Sequence, residues 1–463
     1  MSSVAAALDG DVAAWPYARP KRSATKARQR RIFWRRRLVV LACLASLVAG
    51  LGWLVSTPGS GSLGASSAGS MRPIRVPLPS LVALVPGSSK IAGSVALLPF
   101  PSTGQSAVYV RGVGLLGATP DEASVPIASL TKVMTAVIVL RDHPLGDGSG
   151  PSFTMTAADH EQWIQAVANG DSSLEVVAGE RLTERQLLEA LMIPSACNIA
   201  DYLARWDAGS IPAFVRKMNA MAATLGLRQT HYADASGVNP GSRSTALDQA
   251  LLGSYAMTVP GMVSIEDHPD MRFPVEGLAP NYNPVVGEDG VIGLKSGFTD
   301  AAQICLVIAA RRKVGDRIVL VVASTLSQPS SLQGAGDIDL QLLDAATADL
   351  GVHEVLFAHE PVAKVVAGWT AKATELSVPV SMTVVGWPGM SVTTVVKASI
   401  PVRPGAGHGW DQGTKMATVE VSTPAAIEQV APGRLNGFLP SAPLGWTPVS
   451  SSSSTTVASS SQG

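Results

Sequence analysis

The chain has 463 residues, of which 46% are hydrophobic, and a formal net charge of zero. That length suits two or three domains, and that apolar content excludes a wholly disordered chain. Its cysteines, Cys43, Cys197 and Cys305, are too few for a disulfide scaffold and leave only a Cys197 to Cys305 pair open, while the lack of Cys-x-x-Cys or His-Glu-x-x-His predicts neither metal nor cofactor.

The charge is unevenly placed. Residues 1–37 carry ten Lys or Arg against Asp9 and Asp11, a balance of +8, so the rest, 25 basic and 33 acidic residues, stands at −8. Leu38 to Val55 follows without a charge, directly after Arg35-Arg36-Arg37. Basic residues ahead of an apolar run of about this length fit a single-pass anchor with its N-terminus in the cytoplasm. A cleaved signal peptide is the competing reading; the long basic region and the absence of an Ala-x-Ala site favour the anchor. The basic arm is explained by this topology, so no nucleic-acid partner is expected. The expected organisation is a cytoplasmic tail (1–37), a transmembrane segment (38–55) and a flexible Gly/Ser linker (56–74), followed by a folded domain (75–350), a β-rich domain (351–445) and a disordered Ser-rich tail (446–463). The expected location is the cell membrane, with the folded part outside the cytoplasm.

Within the folded domain, Ser94–Leu98 and Ser106–Val110 read as a strand pair around a Pro-Ser-Thr-Gly turn. They lead to Ile127-Ala128-Ser129-Leu130-Thr131-Lys132, the start of an apolar helix. Thr183 and Gln186 form a capping box ahead of Leu187, Leu188, Leu191 and Met192. Pro194 breaks that helix, Ser195-Ala196-Cys197 makes a turn, and helical periodicity resumes from Asn198. Val291 to Gly297, Gln303 to Arg311 and Arg317 to Ala323 read as three antiparallel strands, with Cys305 a buried small residue. A helix over Ile338–Leu350 closes the unit. Val378–Val385, Val392–Ala398 and Lys415–Val421 then read as strands of a separate small all-β domain.

Ser129 and Lys132 lie one helical turn apart, so the amine can reach the hydroxyl. A serine hydroxyl needs a base, and a lysine serves as one when burial or a second cation favours its neutral form. The spacing alone is common: Ser23 and Lys26 share it inside the basic tail. What separates them is context, with Ser195, Cys197 and Lys295-Ser296-Gly297 standing at the ends of other apolar segments.

These elements, in this order, resemble the serine D-alanyl-D-alanine carboxypeptidases among the low-molecular-mass penicillin-binding proteins, relatives of the class A β-lactamases. The similarity covers about 92–350 and includes Ala128–Ala136, Leu187–Ala200, Leu225–Gly237, Ser244-Thr245-Ala246-x-Asp248 and Gly293–Gly297. The resemblance implies an α+β fold, an antiparallel sheet flanked by helices with a helical subdomain. It implies that Ser129 is the nucleophile, Lys132 its base, and Ser195 a proton relay to the leaving amine. Lys295, Ser296 and Gly297 would bind the substrate carboxylate and backbone, and Lys295 would favour a neutral Lys132. The N–H groups of Ser129 and Phe298 would form the oxyanion hole, worth about 3 kcal/mol per donor. The implied partners are peptidoglycan stem peptides ending in D-Ala-D-Ala, with β-lactams as inhibitors.

The sequence departs from the family pattern at Cys197, where asparagine is usual; a thiol replaces neither half of an amide. Asn198 next to it would point elsewhere. Ser296 keeps the hydroxyl of the usual threonine. His231 reads as a surface or packing residue, Asp234 as a turn residue and Asp248 as a first-turn helix acid. Glu175, Glu180 and Glu184 lie in the region of a deacylating glutamate, but in no motif. The expected function is a serine-type carboxypeptidase; the alternatives are a non-catalytic wall-binding scaffold that has kept the cleft, and a β-lactamase.

Overall fold

The computed structural model describes residues 74–94, 97–120, 123–145, 148–401 and 409–441, together with short strands at 446–449 and 456–457. The expected tail, transmembrane segment and nearly all of the linker lie outside the described residues. Among the described residues, no helix is long and apolar enough to cross a membrane.

The catalytic-type domain is built on a five-stranded antiparallel sheet. Its strands are β1 (Gln105–Val110), β2 (Gly114–Ala118), β3 (Val291–Thr299), β4 (Gln303–Val314) and β5 (Arg317–Gln328), in the spatial order β3-β4-β5-β1-β2. Successive residues of a strand face opposite sides, and β4 shows why its sequence is apolar throughout. Cys305, Val307 and Ala309 enter one core, whereas Ile304, Leu306, Ile308 and Ala310 enter the other. A sheet covered on both faces gives a continuous apolar run rather than alternation.

One face packs on the helical part, which comprises α1 (Thr131–Asp142), α2 (Ala157–Asn169), α3 (Glu184–Met192), α4 (Cys197–Ala208), α5 (Ile211–Thr224), α6 (Ala246–Ala256) and α7 (Met262–Glu266). Helix α1 is buried from Thr131 through Leu140, as expected of a core helix that is apolar all round. The capping box of Thr183 and Gln186 starts α3 as read from the sequence. The opposite face carries α8 (Leu332–Asp349), which contributes Ala335, Leu342, Leu343 and Ala346 to the second core.

The structure corrects several expectations. The described residues of the expected strand Ser94–Leu98, namely Ser94, Leu97 and Leu98, are in no strand, and Leu97 is 97% exposed. The partner of β1 is β2 instead, and Leu98 and Phe100 lie over Gly117 of that strand. Helix α8 begins before Ile338, capped by Ser331, whose hydroxyl accepts from Gly334 N–H. Residues near the N-terminal boundary belong to the β-rich part rather than to the catalytic-type domain. Ser80–Ala83 pairs with Pro361–Val366, and Ser88–Lys90 pairs with Ser391–Ala398. The expected disordered tail holds the strand Trp446–Val449, paired with Ile74–Pro77, and Thr456–Val457, paired with Ser391–Ala398; its remaining residues lie outside those described. The expected strand Val378–Val385 is corrected to two, Thr374–Ser377 and Met382–Gly386, with a bend between them. Ser391–Ala398 and Lys415–Ser422 are strands as read, in an antiparallel sheet that also includes Thr374–Ser377 and Ile427–Leu435, while Met382–Gly386 pairs separately with Gly351–Leu356.

Candidate active site

Ser129 is the middle residue of a 3-10 turn, Ala128–Leu130, that runs straight into α1. Ile127 and Leu130 on either side are fully buried, so the turn is pinned to the core while the serine stays partly open. Ala128 holds a positive φ of +46°, a conformation that costs an L-residue roughly 1–2 kcal/mol and clusters at functional sites.

Lys132, in the first turn of α1, is fully buried. Its amine donates to Ser129 Oγ at 2.9 Å, to the Ser236 carbonyl at 2.8 Å and to Cys197 Sγ at 3.3 Å. An ammonium would spend its three protons on these acceptors. A neutral amine, with two N–H bonds and one lone pair, fits equally well: it donates to Ser236 and Cys197 and accepts the Ser129 O–H. The cage therefore tolerates both forms that a general base must alternate between.

Cys197 starts α4, held by its N–H to the Ser172 carbonyl at 2.7 Å. It is a free thiol, as is the buried Cys305. Asn198 turns away as expected, bonding the backbone of Leu174 through both ends of its amide, at 3.0 and 2.9 Å. Ser195 sits on the turn before α4 with φ +63°; its hydroxyl is buried and has no hydrogen-bond partner among the described residues. Buried hydroxyls are rarely left unbonded within a fold.

The opposite wall is β3, an edge strand of the sheet, so its outer backbone groups are open to an incoming chain. Lys295 and Ser296 are buried on it, while Phe298 is 56% exposed. A Cβ on Gly297 would come within 2.8 Å of the Ser129 amide nitrogen, so only glycine lets the strand and Ser129 approach this closely. Burial and the nearby Lys132 charge push the Lys295 amine down to about 7, against the opposing pull of Glu266.

Sequence reasoning missed what holds Lys132 from below. The carbonyl of Ser236 belongs to a loop organised by Asp234, whose carboxylate accepts from Ser236 Oγ at 3.0 Å, Gly237 N–H at 2.8 Å and Asn239 N–H at 3.1 Å. Gly237 has φ +87°, and any Cβ there would overlap the Ala128 carbonyl. The Asp-x-Ser-Gly pattern was the available signal for this turn. His231 is exposed and pairs its backbone with that of Arg243. Asp248 accepts from Gln229 N–H and Thr230 Oγ1. No hydrogen bond among the described residues links Glu175, Glu180 or Glu184 to Ser129 or Lys132.

A buried lysine bonded to a serine beside an edge strand carrying a second buried lysine defines an active-site-serine hydrolase of the Ser-Lys type. Comparison places it further. A profile of the D-alanyl-D-alanine carboxypeptidase family, peptidase family S11, matches residues 113–326. A D-alanyl-D-alanine carboxypeptidase from Streptomyces sp. strain K15 is 33% identical over 221 residues, 42% of this chain and 72% of that one. The D-alanyl-D-alanine carboxypeptidase DacB2 of Mycobacterium tuberculosis is 32% identical over 238 residues, covering 50% of this chain and 77% of its own. Penicillin binding protein 5 from Haemophilus influenzae shares the fold, with a TM-score of 0.54 over 75% of this chain and all of that one at 18% identity. The chain belongs to the D-alanyl-D-alanine carboxypeptidase family.

Proposed function

We propose that this protein is a serine-type D-alanyl-D-alanine carboxypeptidase that removes the terminal D-alanine of peptidoglycan stem peptides and is acylated by β-lactams. The observation that carries the reading is the 2.9 Å contact of the buried Lys132 amine with Ser129 Oγ beside the β3 edge.

In the proposed reaction, the stem peptide lies along β3 with its terminal carboxylate at Lys295 and Ser296. Ser129 Oγ attacks the carbonyl carbon of the penultimate D-alanine as Lys132 takes the hydroxyl proton. The resulting oxyanion faces the N–H groups of Ser129 and Phe298. As the C–N bond breaks, the proton passes from Lys132 through Ser195 to the departing D-alanine nitrogen. Water then hydrolyses the Ser129 ester, with Lys132 again the base. A β-lactam enters the same sequence with its ring amide in place of the peptide bond. Cys197 contributes a bond to the Lys132 amine. It cannot supply an amide's paired donor and acceptor to the substrate, and that task falls to the β3 edge.

We place the catalytic domain outside the cytoplasmic membrane, anchored by Leu38–Val55. The uncharged run behind Arg35-Arg36-Arg37 supports this reading.

The expected result with a diacylated tripeptide ending in D-Ala-D-Ala is release of one D-alanine per peptide. No release is expected from the same peptide ending in L-alanine. Tight binding of the peptide without any release would replace the enzyme with a wall-binding scaffold.

A further inference from the structure

Cys197 and Lys132 place a thiol and an amine in direct contact, with 3.3 Å between Sγ and Nζ, and the sulfur is in no disulfide. The amine is fixed from two other directions by Ser129 Oγ and the Ser236 carbonyl. A lysine beside a thiol favours the thiolate, the form of sulfur that peroxides attack. Cys197 is 8% exposed, at the start of α4 and one amine away from the partly open Ser129, so a molecule as small as hydrogen peroxide reaches it more readily than another protein's thiol does. We propose that Cys197 and Lys132 form a reversible redox switch, in which peroxide oxidation of the thiol ends in a covalent sulfur–nitrogen bridge to the amine. That the bridge stops catalysis rests on the reading of Lys132 as the base for Ser129.

The surroundings of the sulfur support the assignment. The other described thiol, Cys305, is fully buried on β4, its Sγ at 3.9 Å from the Pro126 carbonyl and 3.7 Å from the Ala302 carbonyl, and no disulfide joins it to Cys197. The nucleophile in contact with an oxidised Cys197 is therefore the Lys132 amine. Ser195, on the turn before Cys197, has a buried hydroxyl without a partner among the described residues, and its carbonyl lies 3.9 Å from the Cys197 sulfur. That hydroxyl leaves the turn with hydrogen-bonding capacity for an oxygen carried on the sulfur. An asparagine at position 197 would offer none of this chemistry.

The steps balance with hydrogen peroxide as the oxidant. The Cys197 thiolate attacks one peroxide oxygen, the O–O bond breaks, and the departing hydroxide takes up the proton lost by the thiol and leaves as water. Sulfur is thereby oxidised by two electrons to a sulfenic acid. The lone pair of the neutral Lys132 amine then attacks that sulfur: the S–N bond forms, the S–O bond breaks, and the leaving hydroxide takes one amine proton to give a second water. A dithiol reverses the bridge. Its first thiolate attacks the Cys197 sulfur, the S–N bond breaks and the amine regains a proton; its second thiol then releases Cys197 as the dithiol closes to a disulfide. While the bridge lasts, Lys132 has no free amine with which to take the Ser129 proton.

The test treats the full chain with hydrogen peroxide and reads two quantities, the rate of acylation by benzylpenicillin and the masses of the peptides that carry Cys197 and Lys132. In wild type the rate should fall by about 10²-fold or more, the scale of general-base loss, and dithiothreitol should restore it. The oxidised sample should contain the two peptides joined, at their summed mass less two hydrogens, and dithiothreitol should separate them. Cys197→Ala, judged against its own untreated rate, should be insensitive to peroxide, whereas Cys305→Ala should respond as wild type does. An equal loss in Cys197→Ala, a loss that dithiothreitol does not reverse, or a sulfenic acid or a Cys197 to Cys305 disulfide in place of the joined peptides would each overturn the bridge. If Cys197→Ala does not fold, oxidised wild type decides: absence of the joined peptides refutes the proposal. The joined mass is read whether or not the protein acylates, so untreated wild type that does not react with benzylpenicillin would remove the enzymatic reading and not the bridge.

Discussion

Replacing Ser129 with alanine is expected to lower D-alanine release by roughly 10⁴ to 10⁶-fold, the scale of nucleophile loss in serine hydrolases. Little else should change. Ser129 is partly open and its hydroxyl touches Lys132, but the turn that carries it is held by Ile127 and Leu130. The removed bond exposes no apolar surface, and the Lys132 amine keeps its contacts with Ser236 and Cys197. Stopped assays of D-alanine, paired with thermal unfolding, measure both consequences. A variant that retains activity within tenfold of wild type would move the nucleophile elsewhere.

Lys132→Met is the second large effect. Methionine has nearly the length of lysine, so it fills the buried space of the Lys132 side chain without the amine. General-base loss in this setting costs about 10² to 10⁴-fold, and because proton removal precedes both reactions, acylation by penicillin should slow by a similar factor to peptide hydrolysis. Stability moves by little, since two contributions oppose each other. Removing a buried ionisable group is favourable, whereas leaving the Ser236 carbonyl without its donor costs about 1–3 kcal/mol. Parallel measurement of acylation rate and urea midpoint separates a chemical role from a structural one. A large drop in midpoint with near-normal acylation per folded molecule would contradict the assignment.

The chemistry was more legible in the chain than the architecture around it. Ser129 and Lys132 are neighbours within one helical turn, and Lys295-Ser296-Gly297 is a contiguous triplet, so local sequence carries both. The three strands β3, β4 and β5 were readable because each is long, apolar and bounded by turn residues. Ser236 escaped notice because its contribution is a backbone carbonyl, which no residue type announces. Glu266 escaped because an acid at the end of a short helix reads as a surface residue until its burial is seen. Pairing between Ser80–Ala83 and Pro361–Val366 joins segments far apart in sequence, and nothing local specifies such a contact. In the five-stranded sheet, Leu97 and Leu98 give the Ser94–Leu98 segment a strand-like look, while the true edge strand β2, with Gly114 and Gly117, looks like a loop. Gly334 and Gly336 likewise hid the first turns of α8.

The central claim is that Ser129, activated by Lys132, becomes an acyl-enzyme. Incubating the folded protein with benzylpenicillin and mapping the product by peptide mass spectrometry tests it most directly. The account predicts a single penicilloyl adduct on Ser129, absent from Ser129→Ala and greatly slowed in Lys132→Met. Folded wild-type protein that carries no adduct, or carries it on another residue, would contradict the account.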